Sequence, residues 1–194
     1  MARPRKITIE QIIEAAQAIF LEKGFGASTQ EIAEKAGISE GSIFKRFPTK
    51  EALFIAAMGM SKVSGVISFI ETMPGQGDLK ENLKEIAIKM IGFIQELLPK
   101  MMMVRSKGLP LPPMLTESGI APPVRILKAL TNLFEKEIAL GRMRPSQPQT
   151  VAMMFMGGVT EYVFLMQASA PIPEIDNYVN SMIELLWRSL EPQK

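Results

Sequence analysis

Residues 36 to 51 read AGISEGSIFKRFPTKE, an amphipathic stretch with two glycines, a Lys-Arg pair and a proline. A glycine in a helix interior costs about 1 kcal/mol relative to alanine, so Gly41 must serve something other than helix stability. Gly37 can adopt the left-handed conformation that turns the chain sharply. We predict a short helix that starts at Ser39 and ends before Pro48.

Helix-capping residues lie on both sides of this stretch. A Ser or Thr followed three residues later by Glu or Gln forms a capping box, and the sequence has two: Thr8 with Gln11, and Ser28 with Glu31. We therefore predict helices from about Ile9 to Lys23 and from Thr29 to Ala36, and Thr49 is the N-cap candidate of the next helix. The expected minimal core of this part is Ile32, Ile38, Ile43 and Phe47.

Two helices joined by a tight glycine turn, the second one short and amphipathic, are typical of a DNA-binding helix-turn-helix. In that motif the second helix enters the major groove, and a glycine at position 41 lets its backbone approach the DNA closely. Lys45 is the best candidate for a base contact, because lysine can donate to O6 and N7 of guanine. The alternative is a three-helix unit that serves packing alone, with the Lys-Arg pair on a solvated surface.

The candidate DNA contacts come from the outer face of this helix, from two helix N-termini whose N–H groups suit phosphate, and from a basic N-terminal arm. They are Arg3, Arg5, Lys6, Thr29, Ser39, Glu40, Gly41, Ser42, Phe44, Lys45, Arg46, Thr49 and Lys50. Arg46 points either to phosphate or to solvent. The arm either reaches a minor groove or is a disordered tail, and the sequence leaves both open.

The composition excludes several kinds of chemistry. The 194 residues are 47% hydrophobic, which is enough for a buried core, and the formal net charge of +2 is too small for a wholly basic nucleic-acid binder. The absence of cysteine and histidine excludes disulfides, Ser-His-Asp triads and thiolate or imidazole metal sites. We expect neither enzymatic activity nor a cofactor or metal. No signal-peptide or membrane-spanning pattern occurs, so a cytoplasmic protein without membrane contact is predicted.

Beyond Thr49 the apolar spacing predicts longer helices and no strands, so the expected fold class is all-α. The predicted helices are about Lys50 to Thr72, Leu79 to Leu98, Met101 to Lys107, Pro123 to Leu140, Gln147 to Ala168 and Glu174 to Leu190. We divide the chain into a helix-turn-helix DNA-binding domain at 1–50 and a helical effector-binding and dimerisation domain at 51–194.

Two further sites are predicted in the second domain. Methionine adapts to irregular apolar ligands, so an apolar or amphipathic effector is expected, although methionines at helical spacing also simply fill a core. The candidate effector residues are Met101, Met102, Arg105, Asn132, Met154, Glu161 and Tyr162. Small residues and an apolar stripe on the last two helices suit a dimer interface, internal packing or a kink. The candidate dimer residues are Gly157, Gly158, Val179, Met182, Ile183, Leu186 and Trp187.

The span from 29 to 54, TQEIAEKAGISEGSIFKRFPTKEALF, resembles the N-terminal signature of the TetR family of bacterial transcriptional regulators. The matching positions are Thr29, Ile32, Ala33, Ala36, Gly37, Ser39, Gly41, Phe47, Lys50, Glu51 and Leu53. The resemblance implies an α-helical dimer with a recognition helix at Ser39 to Phe47 and a C-terminal body that binds a small effector. Phe44 departs from the family's usual tyrosine, whose hydroxyl commonly contacts phosphate.

We therefore expect a homodimeric repressor that binds a pseudo-palindromic operator in double-stranded DNA and is released by a small apolar or amphipathic effector. A second class is a structural dimeric DNA-binding protein that needs no effector. A third is a helical lipid-binding protein or enzyme with an incidental N-terminal module, which no catalytic constellation supports. Lys45→Ala and Lys50→Ala are each predicted to weaken operator binding.

Overall fold

The computed structural model describes residues 7–113, 115 and 121–192, and within these it contains helices and no strand. The α-helices are α1 Ile9–Lys23, α2 Thr29–Ala36, α3 Glu40–Phe44, α4 Lys50–Ala57, α5 Val63–Thr72, α6 Leu79–Ser106, α7 Pro122–Ala139, α8 Pro148–Gln167 and α9 Ile175–Leu190. Two short 3-10 turns lie at Gly24–Gly26 and Met60–Lys62. The prediction of an all-α fold is confirmed.

The chain divides into two compact units. The first consists of Met1–Ser61 with Pro99–Ser118, and the second of Lys62–Leu98 with Gly119–Lys194. The predicted domain boundary after residue 50 therefore falls inside the first unit, at the start of α4. As a division by function, that boundary stays a prediction.

The bounds of α1 and α2 agree with the sequence prediction because both helices begin in complete capping boxes. At α1, the Thr8 hydroxyl accepts a hydrogen bond from the Gln11 backbone N–H at 3.3 Å, and the Gln11 side chain accepts one from the Thr8 N–H at 3.0 Å. At α2, Ser28 and Glu31 make the equivalent bonds at 3.1 and 2.9 Å. Each box satisfies two backbone donors that the helix itself leaves unpaired.

The core of the first unit lies between α1, α2, α3 and α4. Its fully buried side chains include Ile12, Phe20, Ile32, Ile43, Leu53 and Phe54. The rings of Phe20 and Phe54 meet edge to face with their centroids 4.9 Å apart. The expected core residues Ile32 and Ile43 are buried, whereas Ile38 and Phe47 are only half-buried.

Three predicted helices have different bounds in the structure. The single helix expected over Lys50 to Thr72 is two helices, because Gly59 adopts a positive φ of 78° that a continuous helix does not allow. In contrast, α6 continues through Pro99, so the separate piece predicted at Met101 to Lys107 is wrong. A proline removes one helical hydrogen bond, but the following residues resume the pattern. The third helix, α3, ends at Phe44 rather than at Phe47.

The core of the second unit is large and apolar, with one buried charged residue among those described, Glu137 on α7. Its Oε1 accepts a hydrogen bond from the Gly75 N–H at 2.7 Å, and its Oε2 lies 2.7 Å from Nε of Arg142. Arg142 also donates to the carbonyls of Gln76 and Gly77 at 2.9 and 3.0 Å. This pair thereby fixes the loop between α5 and α6 against the end of α7.

Candidate nucleic-acid interface

The turn between α2 and α3 sets the direction of the short third helix. Gly37 takes the left-handed conformation (φ 69°, ψ 34°), and the Ile38 N–H donates to the Ala33 carbonyl at 3.0 Å. Ile43 then points into the core and is 0% exposed. The sharp turn and this single buried anchor leave the opposite side of α3 facing solvent.

Four exposed residues lie on the solvent-facing side of α3 and at its C-cap: Glu40, Gly41, Phe44 and the C-cap residue Lys45. A methyl group added at Gly41 would meet no atom within 4 Å in the described part of the chain. Internal packing therefore does not require a glycine there. The space in front of Gly41 is open to an external surface, as the predicted close approach to DNA requires.

The polar side chains of α3 and of the turn after it differ in how they are engaged. The hydroxyls of Ser39 and Ser42 pair with each other at 2.9 Å, so Ser39 occupies the N-cap position without a side-chain cap bond. Arg46 donates from Nη1 to the Ser42 carbonyl at 3.0 Å. Lys45 is exposed, and the structure gives its ammonium group no partner among the described residues. Lys45 is thus the available cation on this face.

The N-terminus of α2 carries a contact that the sequence did not predict. The Thr29 hydroxyl donates a hydrogen bond to the Glu40 carboxylate. The hydroxyl predicted to contact phosphate therefore has a partner within the chain, and a carboxylate lies beside the helix end where an anion would bind. The DNA-contact role of Thr29 and Glu40 stays a prediction. A phosphate at this helix end would have to compete with the Glu40 carboxylate for the Thr29 hydroxyl.

The start of α4 contributes two of the predicted phosphate contacts. The Thr49 hydroxyl accepts a hydrogen bond from the Ala52 N–H at 3.1 Å, which leaves its own proton available to donate. Lys50 is half-buried, with Nζ 4.6 Å from the centre of the Phe25 ring. The predicted arm of Arg3, Arg5 and Lys6 lies outside the described residues.

An exposed ion pair joins α1 to the start of α2. Nζ of Lys23 lies 2.5 Å from Oε1 of Glu31. The hydrogen bond from Lys23, followed by the Ser28 backbone N–H, lowers the pKa of Glu31 to about 2. The same bond raises the pKa of Lys23. The carboxylate that completes the α2 capping box is thus held ionised by its neighbours.

The seven predicted effector residues are divided between the two units. Met101, Met102 and Arg105 belong to the first unit, whereas Asn132, Met154, Glu161 and Tyr162 belong to the second. Glu161 is exposed, so it avoids the cost of a buried unpaired charge. Tyr162 is buried, and its hydroxyl donates to the Pro173 carbonyl at 2.8 Å, so its effector role stays a prediction.

A groove between α5 and α7 contains one of these residues. Its cavity volume is about 410 Å³, and its lining is Ile67, Glu71, Val124, Arg125, Lys128, Ala129 and Asn132. Sequence analysis selected Asn132 and missed the other six. The spacing of Arg125, Lys128 and Asn132 along one helix was a usable signal, but the contribution of α5 depends on tertiary packing.

The structure corrects the predicted dimer interface. Val179 and Ile183 are 1% and 0% exposed within their own unit, so they have no surface for a second copy. A methyl group at Gly158 would lie 2.8 Å from Sδ of Met182 and 3.2 Å from the Tyr178 hydroxyl, so this glycine packs α8 against α9 of the same chain. Met182, together with Leu186 and Trp187, is half-buried against the same core.

Other apolar side chains of α8 and α9 are exposed instead. They are Met153, Met154, Phe164 and Leu185, with exposed fractions of 57, 61, 44 and 66%. Gly157 shares this side of α8, because it is exposed and a methyl group there would meet nothing within 4 Å in the described part of the chain. A helical periodicity identified two amphipathic helices but did not distinguish the face that packs inside the subunit.

No single helix among the described residues is long and apolar enough to cross a membrane. One bent pair of helices, Lys50–Ala57 with Met60–Thr72, has the combined length and composition of a membrane span. Its residues Leu53, Phe54 and Val66 are, however, buried inside the protein.

Comparisons with known proteins agree with the geometry of α2 and α3. A family model described as bacterial regulatory proteins, tetR family, matches residues 12–57. YerO of Bacillus subtilis, an uncharacterized HTH-type transcriptional regulator, is 36% identical over 81 residues, which are 38% of this chain and 28% of YerO. The matches to the first three curated relatives span less than half the length of each relative.

Solved structures match over nearly the whole chain. SmeT, the repressor of the Stenotrophomonas maltophilia multidrug efflux pump SmeDEF, gives a TM-score of 0.67 at 18% identity over 97% of this chain and 92% of SmeT. FadR of Bacillus subtilis, in complex with stearoyl-CoA, gives 0.59 at 21% identity over 92% of this chain and 97% of FadR. At these identities the likeness concerns the fold alone.

The capped helices, the left-handed glycine turn and the short third helix define a helix-turn-helix DNA-binding domain. Residues 12–57 thus carry the DNA-binding domain of the tetR family of bacterial regulatory proteins. The relatives matched by this domain are transcriptional regulators, which agrees with the predicted family.

Proposed function

We propose that the chain is a homodimeric transcriptional repressor that binds an operator in double-stranded DNA and is released from it by a small apolar or amphipathic molecule. The observation that carries the proposal is the orientation of α3. Its buried Ile43 leaves Gly41, Phe44 and Lys45 together on an exposed face. A short helix with this presentation fits the major groove, and Lys45 can donate to guanine there.

A salt-titrated binding assay on an operator selected from random duplex DNA tests this proposal. Lys45→Ala should weaken binding by about tenfold or more and relax sequence preference at one position. Lys50→Ala should weaken binding to all sequences and reduce the salt slope by about 1. The control is Lys136→Ala, an exposed lysine on α7 of the second unit. Unchanged affinity and slope in both test variants would reject this face as the DNA-binding surface.

The dimer that we propose uses the exposed side of α8 and α9. Met153, Met154, Phe164 and Leu185 expose apolar surface that burial against a second copy would remove from water. Two-fold symmetry would present two copies of α3 to the two halves of a pseudo-palindromic operator.

Sedimentation analysis tests the dimer. Leu185→Glu should convert the dimer to monomers, because it introduces a charge into a surface that must lose its water. Ile88→Glu, at an exposed apolar position on α6 of the same unit, is the control and should leave the dimer intact. A Leu185→Glu variant that sediments as the wild type would contradict this interface.

The proposed effector class follows from the surfaces available and from the relatives of similar fold. SmeT has been solved with triclosan, which is largely apolar, and FadR with stearoyl-CoA, which joins an apolar acyl chain to an anionic coenzyme A. In this chain the groove between α5 and α7 combines apolar side chains with two cations and one carboxylate, which leaves its lining net positive: Ile67, Val124, Arg125, Lys128 and Glu71. That lining suits an amphipathic ligand that has an anionic end. The effector must bind the form of the protein that is off DNA more tightly.

Thermal unfolding with a ligand panel that includes triclosan and stearoyl-CoA tests the effector. A ligand should raise the unfolding temperature, lower operator affinity, and lose both effects in Asn132→Trp, which places a large side chain at an exposed position of the groove lining. Val159→Ile, a conservative change at a buried position of α8, is the control. If operator binding is present and no ligand acts, the alternative of an effector-independent dimeric DNA-binding protein is favoured.

A further inference from the structure

The recognition face of α3 contains an exposed aromatic ring at Phe44. Its side chain is 40% exposed and, at 3.6 residues per turn, lies about 100° around the helix from the buried Ile43. Gly41 lies one turn earlier on the same face and adds no side chain, so the ring borders bare backbone and open space. Within the first unit, the large hydrophobic residues exposed among those described are Ile9, Phe44, Met102 and Met103, and Phe44 is the one on α3. A ring in this position gains free energy when a partner removes it from water.

The neighbouring polar groups are already engaged within the chain. Glu40 accepts the hydrogen bond from Thr29, the hydroxyls of Ser39 and Ser42 pair, and Arg46 donates to a carbonyl of its own helix turn. Phe44 and Lys45 therefore remain as the adjacent side chains with no such engagement in the described structure. One is apolar and the other is a cation, and the two must meet different features of a DNA groove.

The apolar feature of the major-groove floor is the C5-methyl group of thymine. A phenyl ring has no hydrogen-bond donor for a phosphate oxygen, whereas it packs well against a methyl group. The missing side chain at Gly41 removes the nearest obstacle to a base edge that approaches the ring.

We infer that Phe44 is a specificity-determining residue that packs against the C5-methyl group of a thymine in each half of the operator, next to the base pair that Lys45 contacts. The inference rests on the proposed function, because it requires α3 to enter the major groove. It makes Phe44 a base-reading residue instead of a phosphate contact, so the operator half-site must contain a thymine at one fixed position.

Deoxyuridine substitution in the selected operator tests the inference, because deoxyuridine differs from thymidine only by that methyl group. Each thymine of the half-site is replaced in turn, symmetrically in both halves, and the full chain is titrated against each duplex. At one position the wild type should lose about fourfold in affinity for each half-site, which corresponds to one buried methyl group. Phe44→Ala should bind the parent operator more weakly and be insensitive to the same replacement. Phe44→Tyr keeps the ring and should keep the sensitivity.

The outcomes separate the two proposals. Enrichment of no sequence from the random library would overturn the proposed function and this inference with it. An operator that tolerates deoxyuridine at every position, or that is equally sensitive in the wild type and Phe44→Ala, would overturn this inference alone, because the ring would then contact sugar or solvent. Phe44→Leu, a smaller apolar residue at an exposed site, repeats the comparison if Phe44→Ala does not fold.

Discussion

Each unit contains an ion pair and a helical glycine, which are exposed in the first unit and buried or closely packed in the second. In the first unit, the ion pair Lys23–Glu31 is exposed and Gly41 faces open space. In the second unit, the carboxylate of the pair Glu137–Arg142 is 0% exposed and Gly158 is closely packed. The comparison shows that the role of a residue follows from what covers it. The buried ion pair and the packed glycine stabilise the second unit. The exposed ion pair and the open glycine leave surface of the first unit accessible for binding.

The largest effect that we predict is on the buried ion pair. Arg142→Ala should lower the free energy of unfolding by about 3 kcal/mol, because it leaves the Glu137 carboxylate buried without its partner. It also removes the hydrogen bonds to Gln76 and Gly77. Urea unfolding measures the change, with the exposed Arg188→Ala as control. A loss below about 1 kcal/mol would mean that the buried pair behaves like a surface pair.

The second prediction concerns the close-packed glycine. Gly158→Val should lower the free energy of unfolding by about 2 kcal/mol, because its side chain would overlap Met182 and the Tyr178 hydroxyl. The same substitution at Gly65, an exposed helical glycine of α5 with open space around it, is the control. Equal effects at the two sites in urea unfolding would remove the distinction between packed and open glycines.

The third prediction is that one substitution at Gly41 stabilises the fold and weakens operator binding. Gly41→Ala should raise the free energy of unfolding by about 0.5 to 1 kcal/mol, because alanine favours a helix and meets no atom within 4 Å in the described chain. The same variant should bind the operator more weakly, since the methyl group occupies space left for DNA. Gly65→Ala should give the stability gain without the binding loss. A Gly41→Ala variant with unchanged operator affinity would show that this glycine does not serve DNA approach.

The smallest predicted effect is on the exposed pair and depends on pH. The pKa of Glu31 is lowered from 4.5 to about 2 in the folded chain, so its stabilising contribution is present above pH 4.5 and is lost as the pH falls toward 2. Glu31→Gln should therefore make the free energy of unfolding less dependent on pH in this window. Glu14→Gln, an exposed position on α1, serves as the control. The difference should shrink at high salt, and identical pH dependence in the wild type and Glu31→Gln would contradict the assignment.

The parts of the structure that the sequence predicted well depend on local chemistry. The bounds of α1 and α2 follow from capping boxes whose partners are three residues apart. The exposed face of α3 follows from a turn glycine and one apolar anchor. These signals need no knowledge of distant residues, which is why the candidate interface could be described before its geometry was known.

The parts that it missed depend on tertiary contacts. Periodicity placed Val179 and Ile183 on an apolar stripe but could not tell that the core of the same unit buries it. The buried Glu137 had a signal, since it continues the apolar spacing of Leu130 and Phe134 along α7. Its partner Arg142 and the loop that both hold could not be inferred from spacing. The contact between Thr29 and Glu40 joins residues of two helices and was missed for the same reason.

The contact of Glu40 with Thr29 bears on how the protein would discriminate among DNA sequences. A carboxylate at the start of α2 repels phosphate wherever the chain meets a duplex. Non-specific binding depends almost entirely on phosphate contacts, whereas operator binding adds base contacts that the carboxylate does not oppose. The repulsion between the Glu40 carboxylate and phosphate therefore weakens binding to competing genomic sites by a larger fraction than binding to the operator. On the proposed function, Glu40 lowers total affinity and raises the ratio of occupied operator to occupied background DNA.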